Sequence, residues 1–389
     1  MRQNEPRKDL LMKTVKLYYE DPHLQQFSAR VLTCEAAQKG FWVTLDATAF
    51  YPEGGGQACD LGALGDARVL DVQEKEDVIC HLCDRPLTPD QVVEGRLDWT
   101  RRFDLMQQHS GEHIVSGLVH SMFGHHNVGF HVGSETMEID FDGPIPPEAL
   151  ATVETKANEA IWQNLPIRCW YPAPEELPHT FYRTKKALPW PVRIVEIPGY
   201  DSCACCGTHV THTGEIGLIK LISCVKFHAG VRITLCCGGR ALKLLQKIFE
   251  ENRQVSQIFS AKMPETGAAA RKMADALAAE KLRANTLQSR LFDRIAAEYA
   301  GQGNICRFEE TLAPAQLREL ADKIADTCGG WAAVLGGSDG SYSICIVSRQ
   351  GDVKAIGQAL GARGGGKPGF FQGSLQATRQ QILQVLAEL

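Results

Sequence analysis

The stretch "DWTRRFDLMQQHSGEHIVSGLVHSMFG", residues 98–124, is where the hydrophobic pattern of the chain changes period. Upstream, residues 14–95 read as short strands. "FSARVLTCEA", "GFWVTLDATAF", "DARVLDVQ" and "DVICHLC" are rich in β-branched and aromatic residues, with Gly, Asp and Lys clusters between them. That spacing predicts a small barrel or sandwich. From Asp98 onward, Leu105, Met106, Ile114, Val115, Leu118, Val119 and Met122 recur with helical spacing. Asp98 is the expected N-cap and Gly124 the expected C-cap.

Beyond this helix the pattern predicts a strand at "ETMEIDFD" and a helix from Pro147 to Leu165. Strands then follow at "IRCWYP", "VRIVEI", "IGLIKLISCVKF" and "GVRITLCC". Strands and helices do not alternate, so the fold class is α+β. Residues 239–303 carry two helical repeats around "MPETG" and predict a helical hairpin arm. The remainder alternates strand and helix around the loop "GARGGGKPGFFQGS" and predicts a small α/β domain. The expected layout is an N-terminal β-barrel (1–95), an α+β domain (96–238), the arm (239–303) and the C-terminal domain (304–389).

The bulk properties narrow the class. A chain of 389 residues suggests two or three domains. It has no long apolar run and no signal-peptide pattern at its start, so a cytoplasmic protein with no membrane span is expected. The fourteen cysteines are clustered, which in a reducing compartment points to metal or catalysis rather than disulfides. The net charge of −5 does not announce a nucleic-acid partner, so any such binding must rest on local basic patches.

His109 and His113 lie four apart on the predicted helix, on one face and about one turn from each other. His120 is on that face too, but about 10 Å further along the axis, too far for the same metal. "DSCACCGTHVTHTGEIG", residues 201–217, offers the complement. On an extended strand Cys205 and His209 would be about 13 Å apart; Gly207 can turn the chain and bring them together. Two imidazoles from a helix with a thiolate and an imidazole from a turn make an N₃S set suited to zinc. Cys203 and Cys206 compete for the sulfur position.

Taken together, these motifs resemble the editing domain of alanyl-tRNA synthetase and the free-standing alanyl-tRNA editing proteins, the AlaX group. The segment "YPEGGGQACDLG" is similar to the family's glycine-rich barrel segment. "GARGGGKPGFFQGS" resembles the signature of the DHH-associated C-terminal domain of the long forms. Cys206 departs from the family, which commonly has glycine there. The length leaves no room for an adenylation domain beside these segments, so a stand-alone protein is expected.

The resemblance implies a trans-acting hydrolase that deacylates tRNA(Ala) mischarged with serine, and also with glycine. It implies zinc at His109, His113, Cys205 and His209, and substrate binding at Gly54, Gly55, Gly56 and Gln57. Thr48, Gln107, Asn127 and Thr208 are candidate polar residues of the amino-acid pocket. The basic segment 181–193, with Arg183, Lys185, Lys186 and Arg193, is a candidate tRNA contact, as are Arg363 and Lys367. Arg101 and Arg102, at the start of the histidine helix, could also neutralise phosphates. A homodimer through the arm or C-terminal domain is expected. The alternatives are editing of another aminoacyl-tRNA, as in threonyl-tRNA synthetase, and a zinc-stabilised tRNA-binding module without catalysis. A phosphoesterase is disfavoured, since "GHHN" at 124–127 lacks the aspartate of an Asp-His-His motif.

Overall fold

The computed structural model describes residues 13–184, 188 and 190–389. The chain divides into two compact units, Met1–Glu251 and Asn252–Leu389.

In the first unit six strands close on one another. Their order is Gln26–Ala37, Gly40–Leu45, Val78–Cys83, Ala67–Lys75, Gly62–Leu64 and Val92–Leu97, and the last pairs back onto the first with Gln26 opposite Arg96. Closure removes the free edges that a small sheet would otherwise expose. Val31, Val43, Leu45, Phe50, Leu64, Val72 and Ile79 fill the interior. The alternation of exposed and buried residues along Gln26–Val31 is the period-two signature of a strand with one wet face.

The helix Trp99–Phe123 leaves the barrel directly after its last strand. The Asp98 side chain accepts from the Arg101 N–H at 3.1 Å, and Gly124 ends the helix in the left-handed region at φ 73°. It packs with the helix Ala149–Gln163 against an antiparallel sheet ordered Ile219–Phe227, Gly230–Cys237, Met137–Phe141, Asn127–Val132. Met106, Ile114, Val115, Val119, Ile139, Ile233 and Leu235 are the fully buried centre of that core. A second, three-stranded sheet joins Arg168–Trp170, Ile194–Ile197 and Asp201–Ala204. The strands Asn127–Val132 and Asp201–Ala204 are not apparent in the hydrophobic pattern, because polar and glycine residues interrupt both.

Arg102 overturns one expectation from the sequence. It is not a phosphate contact but is fully buried, with its guanidinium on Asp60 and on the carbonyls of Ala49 and Pro22. Arg101 donates from Nε to the Cys59 carbonyl at 3.0 Å. Both arginines fasten the helix to the barrel.

The division between the units falls within the helix Gly238–Phe259. In the second unit the helix Thr266–Glu298 precedes a five-stranded sheet ordered Gly303–Glu309, Gly329–Ser338, Ser341–Ser348, Phe370–Leu375, Arg363–Lys367. The first pair is parallel and the rest antiparallel. The expected loop 361–374 is instead a hairpin, with Arg363 opposite Ser374 and Lys367 opposite Phe370. Three glycines in a row argue against a strand by propensity. The turn Pro368–Gly369, with Gly369 at φ 79°, nonetheless sets the register. Among the described residues no helix is long and apolar enough to cross a membrane.

Candidate metal centre

His109 and His113 project from the histidine helix into the protein interior, each only 2% exposed. The segment Cys205–His209 folds over them. Gly207 is what permits this: a Cβ there would lie 2.1 Å from His109 Cε1 and 2.3 Å from its Nδ1. Any side chain at 207 would therefore push the loop off the ring. The Cys205 Sγ reaches His109 Nε2 at 3.4 Å and His209 Nε2 at 3.5 Å. His209 is packed against both helix histidines, with ring centroids 4.5 Å from His109 and 4.7 Å from His113. The four donor atoms all lie within 4.8 Å of one another, so this is a group that could hold a metal ion.

The outer nitrogens of the three rings are all engaged. His109 Nδ1 meets Gln57 Oε1 at 2.8 Å, His113 Nδ1 meets Asp201 Oδ2 at 2.9 Å, and His209 Nδ1 meets Ser110 Oγ at 3.2 Å. The Asp201 carboxylate can only accept. Gln57 Oε1 also accepts, since its Nε2 donates to Thr208 Oγ1 at 2.8 Å. Nδ1 therefore carries a proton in His109 and in His113, so Nε2 is the nitrogen that presents a lone pair to a metal once it gives up its own proton. That is the tautomer a metal-binding imidazole needs, fixed from the outside.

Charge is arranged to match. Burial alone would push the Cys205 thiol up, but the neighbouring His109, His113 and His209 outweigh it and hold it well below the usual thiol range. For His113, burial opposes a charge, yet its bonds to Asp201 and Cys205 raise it well above the ordinary value. His209 is pushed down to about 3, first by burial and then by its proximity to the His109 ring. A thiol that ionises beside imidazoles is a ligand or nucleophile rather than an inert core cysteine.

The glycine-rich turn and the loop brace each other. Gly54 and Gln57 exchange backbone hydrogen bonds of 3.1 and 2.9 Å around Gly55 and Gly56, whose φ values are +60° and +87°. Glycine adopts that pair without strain, and only Asn or Asp would readily replace the first of the two. A Cβ on Gly56 would also lie 2.7 Å from the Phe130 ring, which stacks on His109 at 5.3 Å. The turn thus delivers Gln57, which is 1% exposed and holds both His109 and Thr208. On the other side Arg193 donates to the carbonyls of Cys205 and Gly207 at 2.9 Å each, and its guanidinium lies 4.6 Å from the centroid of the Tyr19 ring. Tyr19 Oη donates to the Cys206 carbonyl at 2.9 Å. In "TGEIG", Glu215 accepts from the N–H groups of Thr211 and His212 and pairs with His23 at 2.7 Å, closing the following turn.

The sequence-predicted residues separate clearly. His109, His113, Cys205, His209, Gln57 and Thr208 come together. Asn127 lies beside them, donating from Nδ2 to Glu112 and Ser116. Thr48 does not join: its hydroxyl is committed to His81 Nε2 and the Phe50 N–H inside the barrel. Gln107 ties the helix to the Glu215 carbonyl and the Gly239 N–H. Arg183 is not a free phosphate contact, because its guanidinium is forked on the buried Asp201 at 2.6 and 2.9 Å. Arg193 is likewise buried and spent on the loop. Lys185 and Lys186 lie outside the described residues. Arg363 and Lys367 are exposed on the edge strand of the second unit.

Of the rival cysteines, Cys206 is exposed and Cys203 groups instead with His113 and Asp201. Cys203 and Cys206 are spaced as Cys-x-x-Cys, yet burial raises both thiols, Cys203 to about 11, the opposite of an active redox pair. Asp201, Ser110 and Glu112 are the site residues that sequence reasoning missed. None carries a spacing signal of its own; Asp201 reaches His113 only through the fold.

Two family profiles match the chain. One, the threonyl and alanyl tRNA synthetase second additional domain, covers residues 192–234 and so includes Cys205 and His209. The other, tRNA synthetases class II (A), covers residues 4–101. Alanine–tRNA ligase of Thermofilum pendens is 31% identical over 93% of this chain and 42% of its own length. That of Ignicoccus hospitalis is 36% identical over 64% of this chain and 28% of its own. The chain thus spans less than half of these ligases. Mouse alanyl-tRNA editing protein Aarsd1 is 27% identical over 95% of this chain and 97% of its own length. A solved structure, the C-Ala domain of Aquifex aeolicus alanyl-tRNA synthetase, matches over 22% of this chain and 86% of its own, at 20% identity and a TM-score of 0.19. By its motifs, the profiles it matches and relatives that extend along nearly its whole length, the chain is a homologue of the alanyl-tRNA editing proteins and of the alanine–tRNA ligases.

Proposed function

We propose that the chain is a cytoplasmic, zinc-dependent deacylase. It would hydrolyse the ester of tRNA(Ala) wrongly charged with serine, and with glycine as a second target. The observation that carries this reading is the geometry of the four donors. A tetrahedral zinc with bonds of about 2.3 Å to sulfur and about 2.0–2.1 Å to nitrogen implies sulfur–nitrogen edges of about 3.5 Å. The edges here are 3.4 and 3.5 Å. Zinc held there would supply Lewis acidity, toward an ester carbonyl or a water, where one of the four ligands gives way to it.

The protein's part is to bind and discriminate. A pocket that hydrogen-bonds a serine hydroxyl leaves a buried polar group unpaired when alanine enters, which discriminates strongly. Thr208, whose hydroxyl accepts from Gln57 and donates to no acceptor among the described residues, and Asn127 are the residues proposed for that task. Gly54, Gly55, Gly56 and Gln57 form the wall against which the aminoacyl end rests. Lys185 and Lys186, together with Arg363 and Lys367, are proposed to meet tRNA phosphates. Exposed Tyr171, Phe181 and Trp190 offer stacking surfaces for unpaired bases. Exposed Leu277 and Leu287 on the long helix of the second unit are proposed as part of a homodimer surface.

The test is hydrolysis of a panel of seryl-, glycyl- and alanyl-tRNA(Ala) and seryl-tRNA(Thr). Rapid cleavage of the first two, with alanyl-tRNA(Ala) spared, is expected. Equal cleavage of seryl- and alanyl-tRNA(Ala), or cleavage of none, overturns the reading.

Asp201→Asn provides a separate check on the metal. It keeps the shape but replaces a carboxylate that both orients His113 and neutralises Arg183. Zinc retention against a competing chelator should weaken by roughly 10- to 100-fold, the usual cost of losing an outer-shell partner. Unchanged retention would remove Asp201 from that role.

A further inference from the structure

A carboxylate that none of the motifs accounts for borders the metal-ligand group. Glu112 precedes His113 on the histidine helix and is only 5% exposed. Its Oε1 accepts from Ser116 Oγ and from Asn127 Nδ2, each at 2.5 Å. Its Oε2 accepts no hydrogen bond among the described residues and lies 3.8 Å from His113 Nε2, the nitrogen that faces the ligand cluster. Asn127 is fixed in orientation by donating from Nδ2 to both Glu112 and Ser116, and its Oδ1 is left buried without a partner. One polar cluster therefore holds two unfilled acceptors, and one of them carries a formal charge.

A buried carboxylate is costly unless a cation or several donors match it. Among the described residues no lysine or arginine pairs with Glu112. Arg183, whose charge reaches it, is already forked on Asp201. His113 and a metal ion in the adjacent cluster can offset part of that charge, but neither supplies a hydrogen-bond donor to the open Oε2 and Asn127 Oδ1; a compact cation with several N–H donors would fill both. An aminoacyl ester has one, an α-ammonium group two bonds from the carbonyl carbon that must approach the ligand cluster. Four protein ligands make a closed type of zinc sphere, so groups beside the metal have to position the ester.

We propose that Glu112, held by Ser116 and Asn127, receives the α-ammonium group of the aminoacyl ester and so fixes the carbonyl against the metal centre. This rests on the deacylase reading above. It makes Glu112 the residue that separates aminoacyl esters from other acyl esters of the same tRNA.

The test removes the ammonium from the substrate. Seryl-tRNA(Ala) and its hydroxyacyl counterpart, made by nitrous acid deamination, are compared with the wild-type protein and with Glu112→Gln at equal zinc content. Wild type should cleave the hydroxyacyl ester with kcat/KM lower by roughly 10- to 100-fold, the range for a charge-assisted hydrogen bond. Glu112→Gln should lose a similar factor on the seryl ester and less than about threefold on the hydroxyacyl ester. A binding readout accompanies it: a non-hydrolysable 3′-serylamido-adenosine should bind wild type about tenfold more tightly than its deaminated analogue, and the difference should vanish in Glu112→Gln. Equal cleavage of both esters by wild type overturns the proposal without any variant. So does an equal loss on both esters in Glu112→Gln, which would place Glu112 on the water or the metal instead. If wild type cleaves neither ester, the deacylase reading itself fails.

Discussion

Cys205→Ala is expected to give a folded protein that has lost together the zinc binding and the deacylase activity proposed above. The first unit has an extensive apolar core, with Ile114, Val115, Ile139 and Leu235 fully buried, and Cys205 is only packed against it. Truncating one partly buried thiol should therefore leave the fold standing. The ligand group fares differently. Cys205 is the atom at which the His109 and His209 nitrogens converge, and it is the only anionic donor among the four. Without it three buried imidazoles remain, and any charge on one of them disfavours charge on the others. Zinc retention and kcat/KM on seryl-tRNA(Ala) should each fall by more than about 100-fold, beyond what the loss of an outer-shell partner costs. Cys203→Ala and Cys206→Ala should retain the metal, since Cys203 groups with Asp201 and Cys206 is exposed. Zinc retained in Cys205→Ala but lost in Cys203→Ala would reassign the thiolate. Full activity in zinc-free, folded protein would make the metal structural and leave the chemistry to other groups.

The parts of this site that the sequence discloses are those with a fixed local geometry. His109 and His113 share a helix face because of the period of the helix. Cys205 and His209 are brought together by a turn whose glycine is visible in the sequence. The strongly patterned elements are equally legible, from the capped helix after Asp98 to the alternating barrel strands. Contacts between distant segments leave no such trace. Asp201, Ser110 and Gln57 each hold the outer nitrogen of one histidine, and two of the three were invisible as site residues because nothing local marks an outer-shell partner. The arginines show the converse error. Arg102, Arg183 and Arg193 read as surface charge because arginine usually is, yet all three are enclosed and paired. A buried arginine and a phosphate-binding arginine look the same until the carboxylate or carbonyls around it are known. The strand Arg363–Lys367 was hidden for another reason: glycine has no β propensity, and its pairing depends on the hairpin partner.

Asp60→Ala is the substitution expected to cost the most stability. Arg102 is fully buried, and Asp60 is 1% exposed. Arg102 Nε lies 2.9 Å from both Asp60 oxygens, and Nη1 donates to the Pro22 carbonyl at 3.1 Å. Asp60 Oδ2 also accepts from the Tyr51 N–H at 2.6 Å. Removing the carboxylate leaves a guanidinium in the interior with only carbonyl partners, and breaking a buried pair from one side costs about 3–5 kcal/mol. Calorimetric or urea unfolding should show that loss. The double variant Asp60→Leu with Arg102→Met should recover most of it, because apolar replacements of similar volume remove the stranded charge. A loss below about 1 kcal/mol in the single variant would mean that water reaches Arg102 and that the pair behaves as a surface one. The stability change also has a functional reading. Arg102 lies two helical turns before His109, and the barrel it grips carries the turn that presents Gln57 to His109. Anchoring the helix therefore sets the distance across which Gln57 must reach. If the anchor works by position rather than by charge, the double variant should regain zinc retention in step with stability. Recovered stability with weak zinc retention would instead show that the ion pair sets the helix more finely than packing alone can.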